Sequence, residues 1–258
     1  MRLLIVRHGD PDYVHDCLTP TGIKEAELLG KRLAGEKIDR VYVSPLGRAQ
    51  MTAAPALKAL HMEAQVLDWL EEVPVSLDIN GDDKLIRSYP DTRVRADGTF
   101  ENRIIWDCLP SCWMNDDVFY ERDGWMNSPQ GDHSNIKECV ERANAGLDAL
   151  LAENGYVRSG NIYTTKRGNE DTILLVCHFG ITCLMLSHLW GISPMILWHC
   201  LVTRTTSVTE LYTEERRKGE VLFRATCIGD TSHLTEGGMT PSFQARFCET
   251  YENTSQRH

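Results

Sequence analysis

The sequence predicts an α/β protein: a three-layer α/β/α sandwich with a mostly parallel central sheet and a lid-like insertion. Three observations point there. Leu3-Leu4-Ile5-Val6 and Thr172-Ile173-Leu174-Leu175-Val176-Cys177 are near-continuous apolar runs, the pattern of strands buried on both faces. Segments of helical periodicity follow each of them, which gives a β-α-β-α opening and implies parallel strands joined by crossovers. The stretch from Val73 to about Ser134 has no sustained period, yet carries Trp106, Trp113, Phe119, Tyr120 and Trp125, so it is too long and too aromatic for a simple connector.

In chain order, the first strand ends at Arg7-His8-Gly9. Leu18-Thr19-Pro20-Thr21-Gly22 then leads into a helix over 23–33, with Ile23, Ala26, Leu29 and Leu33 on one face. Thr19 or Thr21 is the candidate N-cap, with Pro20 in the first turn. A second strand runs from Asp39 to Val43, and a helix from Leu46 to Leu60 turns Ala49, Ala53, Ala54 and Leu57 inward. Helical periodicity resumes over Ile136 to Leu151, and a further helix, Gly180 to Trp190, follows the 172–177 strand. Alternation in 207–212 and 221–225 predicts an antiparallel pair at the sheet edge, and the last twenty or so residues form a polar tail.

Composition narrows the function classes. Hydrophobic content of 42% with 25% charged residues is that of an ordinary globular chain, and no apolar run approaches the roughly 18 residues a membrane span requires. The net charge of −10 opposes nucleic acid. An anionic substrate would therefore need local arginines. Nine cysteines, with only Cys108, Cys112 and Cys139 approaching a cluster and no C-x-x-C pair, fit reduced thiols in a cytoplasmic protein better than a disulfide framework or structural zinc.

The chemistry gathers at strand ends. Arg7 and His8 leave the first strand at its C-terminal edge, where open α/β sheets bind ligands. An imidazole attacks phosphorus only when neutral, and an adjacent guanidinium disfavours imidazolium while offering planar donors to phosphate oxygens. His178-Phe179-Gly180 repeats this arrangement after the second apolar strand, beside a helix N-terminus that favours anions. Arg48 sits on the first turn of the helix after the second strand, and Leu70-Glu71-Glu72-Val73 offers a carboxylate for proton transfer.

Taken in order, Arg7-His8-Gly9, Leu18-Thr19 with Gly22, Ser44-Pro45-x-x-Arg48-Ala49 with Thr52, Leu70-x-Glu72 and His178-x-Gly180 resemble the histidine phosphatase superfamily, also called phosphoglycerate-mutase-like. The resemblance covers residues 2–72 and 172–190, with a weaker echo in Gly229-Asp230-x-Ser232-His233-Leu234. It implies one histidine-phosphatase-like domain over residues 1–258, with the insertion at about 73–134 covering the active site and reading the alcohol of the substrate. It implies His8 as phospho-accepting nucleophile, Arg7 and Arg48 as phosphate clamp, His178 as a second imidazole binding and stabilising the transferring phosphoryl, and Glu72 as proton donor, with its neighbour Glu71 pointing elsewhere. The expected activity is that of a metal-independent phosphomonoesterase of the histidine acid phosphatase type, forming a phosphohistidine on a small phosphorylated metabolite. No cofactor, nucleic acid or membrane is expected as partner, and the chain is compatible with a homodimer.

Two other readings stand beside it: a phosphoglycerate mutase using the same intermediate, and a non-catalytic phospho-ligand binding protein. The filled catalytic positions disfavour the second. Against the mutase, the chain lacks its Phe-Thr-Gly-Trp and Glu-Arg-x-Tyr-Gly stretches, has Val14 where many relatives carry a phosphate-touching Asn, and has Asp10-Pro11-Asp12-Tyr13 in place of Glu-Thr. Asp10, Asp12, His8 and His15 could hold Zn²⁺ or Mn²⁺, but flanking arginines would repel a cation. His15, His61, His133, His188, His199 and His258 read as surface or satisfied core histidines. Arg87, Arg93, Arg95 and Arg103 are interspersed with Asp91, Asp97 and Glu101 and read as a solvated loop. Trp106, Trp113 and Trp125 read as the insertion's own small core, and Cys177 as a buried small hydrophobe.

Overall fold

A computed structural model describes residues 1–243 and 250–253. His258 and most of the polar tail after Phe243 lie outside the described residues. The chain forms two compact units. The first comprises Met1–Glu72, Tyr163–Thr182 and the chain from Val202 onward; the second comprises Val73–Ile162 and Cys183–Leu201.

The first unit is built on an eight-stranded sheet with strands β1 (Arg2–Arg7), β2 (Arg40–Val43), β3 (Gln65–Val66), β4 (Ile162–Thr164), β5 (Thr172–Cys177), β6 (Val208–Arg217) and β7 (Glu220–Asp230), running in the order β3-β2-β5-β1-β6-β7-β4 and ending on the short strand Val157–Ser159 beyond β4. From β3 to β1 the neighbours are parallel. From β1 onward they are antiparallel. The apolar runs of β1 and β5 are therefore central strands paired on both sides, and every residue of β5 is buried.

The β6–β7 pair departs from the sequence expectation. It is antiparallel as read, but it lies inside the sheet, because β6 also pairs with β1 and β7 with β4. Ile162–Thr164 is too short to announce itself by alternation, so the true outer neighbour was invisible to the pattern.

Helix α1 (Pro20–Leu33) starts where capping chemistry places it: Thr19 accepts the Gly22 amide at 3.1 Å, and Pro20 occupies the first turn. Ala26, Leu29 and Leu33 are buried, and Leu29 and Leu33 pack with Ala49, Ala53 and Ala56 of α2 (Gly47–Leu60) and with Leu4, Val6, Leu174 and Val176 of the sheet. Burying each leucine contributes about 2 kcal/mol, and Leu29→Ala would cost about 2–5 kcal/mol through lost contacts and a cavity. Two positions differ from expectation. Ile23 and Ala54 are exposed and border an open apolar groove with Leu18 and Met51, because the inward stripe of α2 runs 49, 53, 56 and puts position 54 a quarter-turn or so off it.

The second unit is helical and irregular, held by aromatics around α3 (Ile136–Glu153) and by the end of α4 (Phe179–Trp190) and α5 (Pro194–Cys200). Trp125 meets Trp198 edge-on at 5.5 Å, Trp106 lies 5.0 Å from Trp198, and Trp113 stacks on His199 at 4.5 Å. Trp113, Trp125 and Trp198 are buried core, and Trp106 is half-buried against them. His188 bonds Asp148 at 3.0 Å, His15 and His133 are exposed, and Arg93 and Arg95 lie in an exposed loop.

Candidate active site

The site follows from strand register. In the parallel β1–β5 pair Arg7 lies opposite Cys177, so the next residues, His8 and His178, leave adjacent central strands side by side. The His8 amide donates to the Cys177 carbonyl at 2.9 Å, and the two imidazoles lie 5.0 Å apart between centroids. Both are buried, His8 at 1% and His178 at 0% exposure.

His8 Nδ1 lies 2.7 Å from the Gly9 carbonyl oxygen. A carbonyl only accepts, so Nδ1 carries the proton and Nε2 holds the free lone pair. Burial, then the Arg7 charge, hold His8 well below the usual histidine range, with Arg48 adding to the effect against the Gly9 bond. His178 is held down by burial first, then by His8, Arg48 and Arg7. Two neutral imidazoles are thus fixed beside two permanent cations.

Ser44 Oγ lies 2.7 Å from His178 Nε2 and accepts the Leu46 amide at 3.2 Å. His178 Nδ1 is buried with no hydrogen-bond partner among the described residues. With Ser44 donating to Nε2, Nδ1 carries a hydrogen available to a ligand oxygen.

The arginines are oriented by their surroundings. Arg7 donates through Nη1 to the Thr203 carbonyl at 2.5 Å and lies over the Phe179 ring. Arg48, at the start of α2, donates to Asp16 Oδ1 at 2.6 Å and lies 5.3 Å over Tyr13, while its buried Nε has no partner among the described residues. Asp16 Oδ2 accepts the Gly47 amide at 2.6 Å, capping a helix whose Leu46 N-cap has no side-chain bond. Thr52 ties this helix to the loop after β1: it accepts the Gly9 amide at 2.8 Å and donates to the Arg48 carbonyl at 2.7 Å.

Glu72 accepts the amides of Gly180 and Ile181, each at 3.2 Å, in the first turn of α4 directly after His178. The five residues read from sequence therefore stand on one sheet edge of the first unit. Asp12 pairs with His15 at 2.8 Å and Asp10 bonds Thr19. Among the described residues no group of three or more His, Cys, Asp or Glu is placed to hold a metal. Cys177 is buried and its thiol is pushed up to about 12 by burial, which makes it inert.

Residues 3–104 match the family described as "Histidine phosphatase superfamily (branch 1)". The matched segment holds Arg7, His8, Arg48 and Glu72. A Hydrogenobacter thermophilus protein named "Putative phosphoserine phosphatase 2" is 23% identical over 235 residues, covering 88% of this chain and 96% of the relative. Among solved structures, a mutant phosphoserine phosphatase from Entamoeba histolytica in complex with phosphoserine superposes with a TM-score of 0.57 at 18% identity, covering 90% of this chain and 98% of that one. A mycobacterial glucosyl-3-phosphoglycerate phosphatase in complex with VO3 superposes with a TM-score of 0.54 at 18% identity, covering 88% and 97%. The shared feature is the histidine phosphatase fold.

Sequence reading missed the supporting residues Asp16, Glu25 and Thr206, and it quoted Ser44 and Thr52 without roles. Glu25 had a signal: it lies on the buried stripe of α1 beside Gly22, Ala26 and Leu29, where a carboxylate must have partners. Asp16 and Thr206 had none, since their work depends on backbone at positive φ.

Proposed function

We propose that this chain is a metal-independent phosphomonoesterase that hydrolyses a small anionic phosphate monoester through a phosphohistidine on His8. The paired neutral imidazoles, 5.0 Å apart beside Arg7 and Arg48, carry the reading. A phosphate dianion docks between the guanidiniums, and His8 Nε2 attacks phosphorus as the ester P–O bond breaks. Protonated Glu72 gives its proton to the departing alkoxide, and the Gly180 and Ile181 amides stabilise the carboxylate that results. His178 Nδ1–H donates to the transferring phosphoryl. Glu72 then takes a proton from water, the hydroxide attacks phosphorus, the P–N bond breaks, and inorganic phosphate leaves.

Relatives named for phosphoserine and glucosyl-3-phosphoglycerate suggest an ester that bears a second polar or anionic group, and this favours hydrolysis over mutase chemistry. The histidine acid phosphatase type is part of the proposal: a nucleophile whose pKa is depressed by burial stays unprotonated in mild acid. So is a cytoplasmic setting, which eight free cysteines among the described residues support.

The test is a panel of phosphate monoesters with wild type and His8→Ala, with and without EDTA and vanadate. Expected are turnover that survives EDTA, inhibition by vanadate, loss of several orders of magnitude in His8→Ala, and a trapped phosphohistidine in wild type alone. Loss on chelation with rescue by Zn²⁺ or Mn²⁺ would overturn the reading, as would near-normal turnover by His8→Ala.

A further inference from the structure

The Gly229-Asp230-x-Ser232-His233-Leu234 segment has no part in the chemistry above, yet its histidine is 4% exposed and bonded on both ring nitrogens. It sits in a short helical turn, Ser232–Glu236, after β7. Arg32 Nη1 approaches its Nδ1 at 3.4 Å, and its Nε2 lies 3.1 Å from Thr206 Oγ1. Thr206 Oγ1 in turn donates to the Thr205 carbonyl at 2.8 Å.

The donor directions in this chain are determined. A guanidinium cannot accept, so His233 Nδ1 is the lone pair facing Arg32 and Nε2 carries the hydrogen. Thr206 spends its hydroxyl hydrogen on a carbonyl, so its oxygen accepts from Nε2–H. Arg32 is itself anchored on Asp230 at 2.5 Å. A one-way series of donors thus runs from the arginine of α1 through His233 to Thr206.

Thr206 is where this series meets the catalytic loop. Its amide donates to the His8 carbonyl at 3.1 Å. Its φ of 53° is a left-handed conformation that a β-branched residue adopts only at a cost of about 1–3 kcal/mol, and such strain persists only where surrounding bonds over-determine it. The same loop receives the Arg7 amide on the Ser207 carbonyl and the Arg7 guanidinium on the Thr203 carbonyl.

We infer that His233 is a positioning residue: by donating to Thr206 it holds a strained turn against the backbone of His8 and keeps the nucleophile in line with phosphorus. The inference rests on the reading of His8 as nucleophile. Misplacement of a reacting group by about 1 Å costs up to about 100-fold in rate, so the effect falls on the chemical step and leaves substrate binding nearly unchanged. The charged groups facing His233 are Arg32 from α1 and Asp230 from the end of β7. Burial and then Arg32 bring its pKa down to about 4, so above that pH the ring is neutral and the donor series is intact; once charged, it would turn an N–H against the guanidinium.

The experiment is rapid-quench measurement of phosphohistidine formation from p-nitrophenyl phosphate, with thermal melts of every variant. Compared are wild type, His233→Leu, His233→Gln, Thr206→Val and the Leu/Val double variant. Expected is a fall of about 10- to 100-fold in phosphorylation rate for His233→Leu and for Thr206→Val, with KM within about 2-fold and the double variant no slower than the worse single. His233→Gln, which keeps an N–H near the Nε2 position, should recover most of the rate and lose the acid-side decline that wild type shows as pH approaches 4. Should His233→Leu not fold, Thr206→Val removes only the hydroxyl and reads the same link. Wild-type phosphorylation rates in the Leu and Val variants, a double variant equal to the product of the singles, or a Gln variant as slow as Leu would each overturn the inference while leaving His8 as nucleophile. Absence of phosphohistidine in wild type would overturn both.

Discussion

Glu25 offers the most quantitative test of how the loop that carries His8 is supported. It is fully buried on α1, with Oε2 accepting the Asp10 amide at 2.8 Å and Oε1 accepting Thr205 Oγ1 at 2.8 Å and the Ser242 amide at 3.1 Å. Glu25→Ala strands two buried donors and one half-buried one, each of which loses a charge-assisted bond worth about 1.5–3 kcal/mol, so the total is about 4–6 kcal/mol with partial relaxation. That approaches the whole stability of an ordinary domain. Glu25→Gln keeps an acceptor for Thr205 and Ser242 but turns an NH2 toward the Asp10 amide, which loses one such bond at about 2 kcal/mol. The assay is urea denaturation followed by far-UV circular dichroism, reading the transition that bound vanadate shifts upward, because that ligand reports the first unit. Burial pushes the Glu25 carboxyl up, so its contribution is full below the ordinary carboxylate value of 4.5 and declines as pH rises through the raised value; Glu25→Gln should remove that slope. A glutamine variant within about 0.5 kcal/mol of wild type, or an alanine variant no worse than glutamine, would refute the account of three working hydrogen bonds.

Other expectations follow from the same geometry. Glu72→Gln should slow cleavage of alkyl phosphates far more than of a nitrophenyl ester, whose leaving group needs no proton, while Glu71→Gln does little; the reverse pattern moves the acid by one residue. Ser44→Ala removes the partner of His178 Nε2 and should cost about 1 kcal/mol in the transition state, a fall in kcat/KM of about 5-fold, checked by steady-state kinetics. In Gly22→Ala the new methyl would lie 2.3 Å from the Asp10 carbonyl oxygen, so the backbone two residues from His8 must shift, with kcat falling by about 10- to 100-fold and the melting point dropping. His8 and His178 are both held well below 6.5, so as pH falls past that value the unfolded chain takes up protons that the folded one refuses, and stability measured by melting should decline steadily in acid.

The placement of His8, His178, Arg7, Arg48 and Glu72 was legible because they sit near the end of a buried strand or the start of a helix, where periodicity and glycine mark the boundary. The parallel half of the sheet was legible for the same reason: β1 and β5 are apolar without interruption. The interior place of β6 was not, since its pairing partner β1 lies some 200 residues away and leaves no local trace, as in the pair Val6 and Val208, and β4 is only Ile162–Thr164. Asp16 works through φ 48° and a carboxylate shared between Gly47 and Arg48, a geometry made by the turn rather than by a residue pattern. His233 was legible as a motif and silent as to purpose, because its partner Thr206 is meaningful only once the turn at 203–207 is seen against His8.

The pairing of β1 has a consequence for biosynthesis. Its two neighbours, Thr172–Cys177 and Val208–Arg217, lie far downstream and are translated long after it. Through that interval an apolar strand leading into His8 has no edge to pair with, and such long sequence separations slow productive folding. Ribosome-bound chains halted before residue 208 should therefore hold the loop after β1 unprotected against protease, and protection should appear only once β6 has emerged and paired.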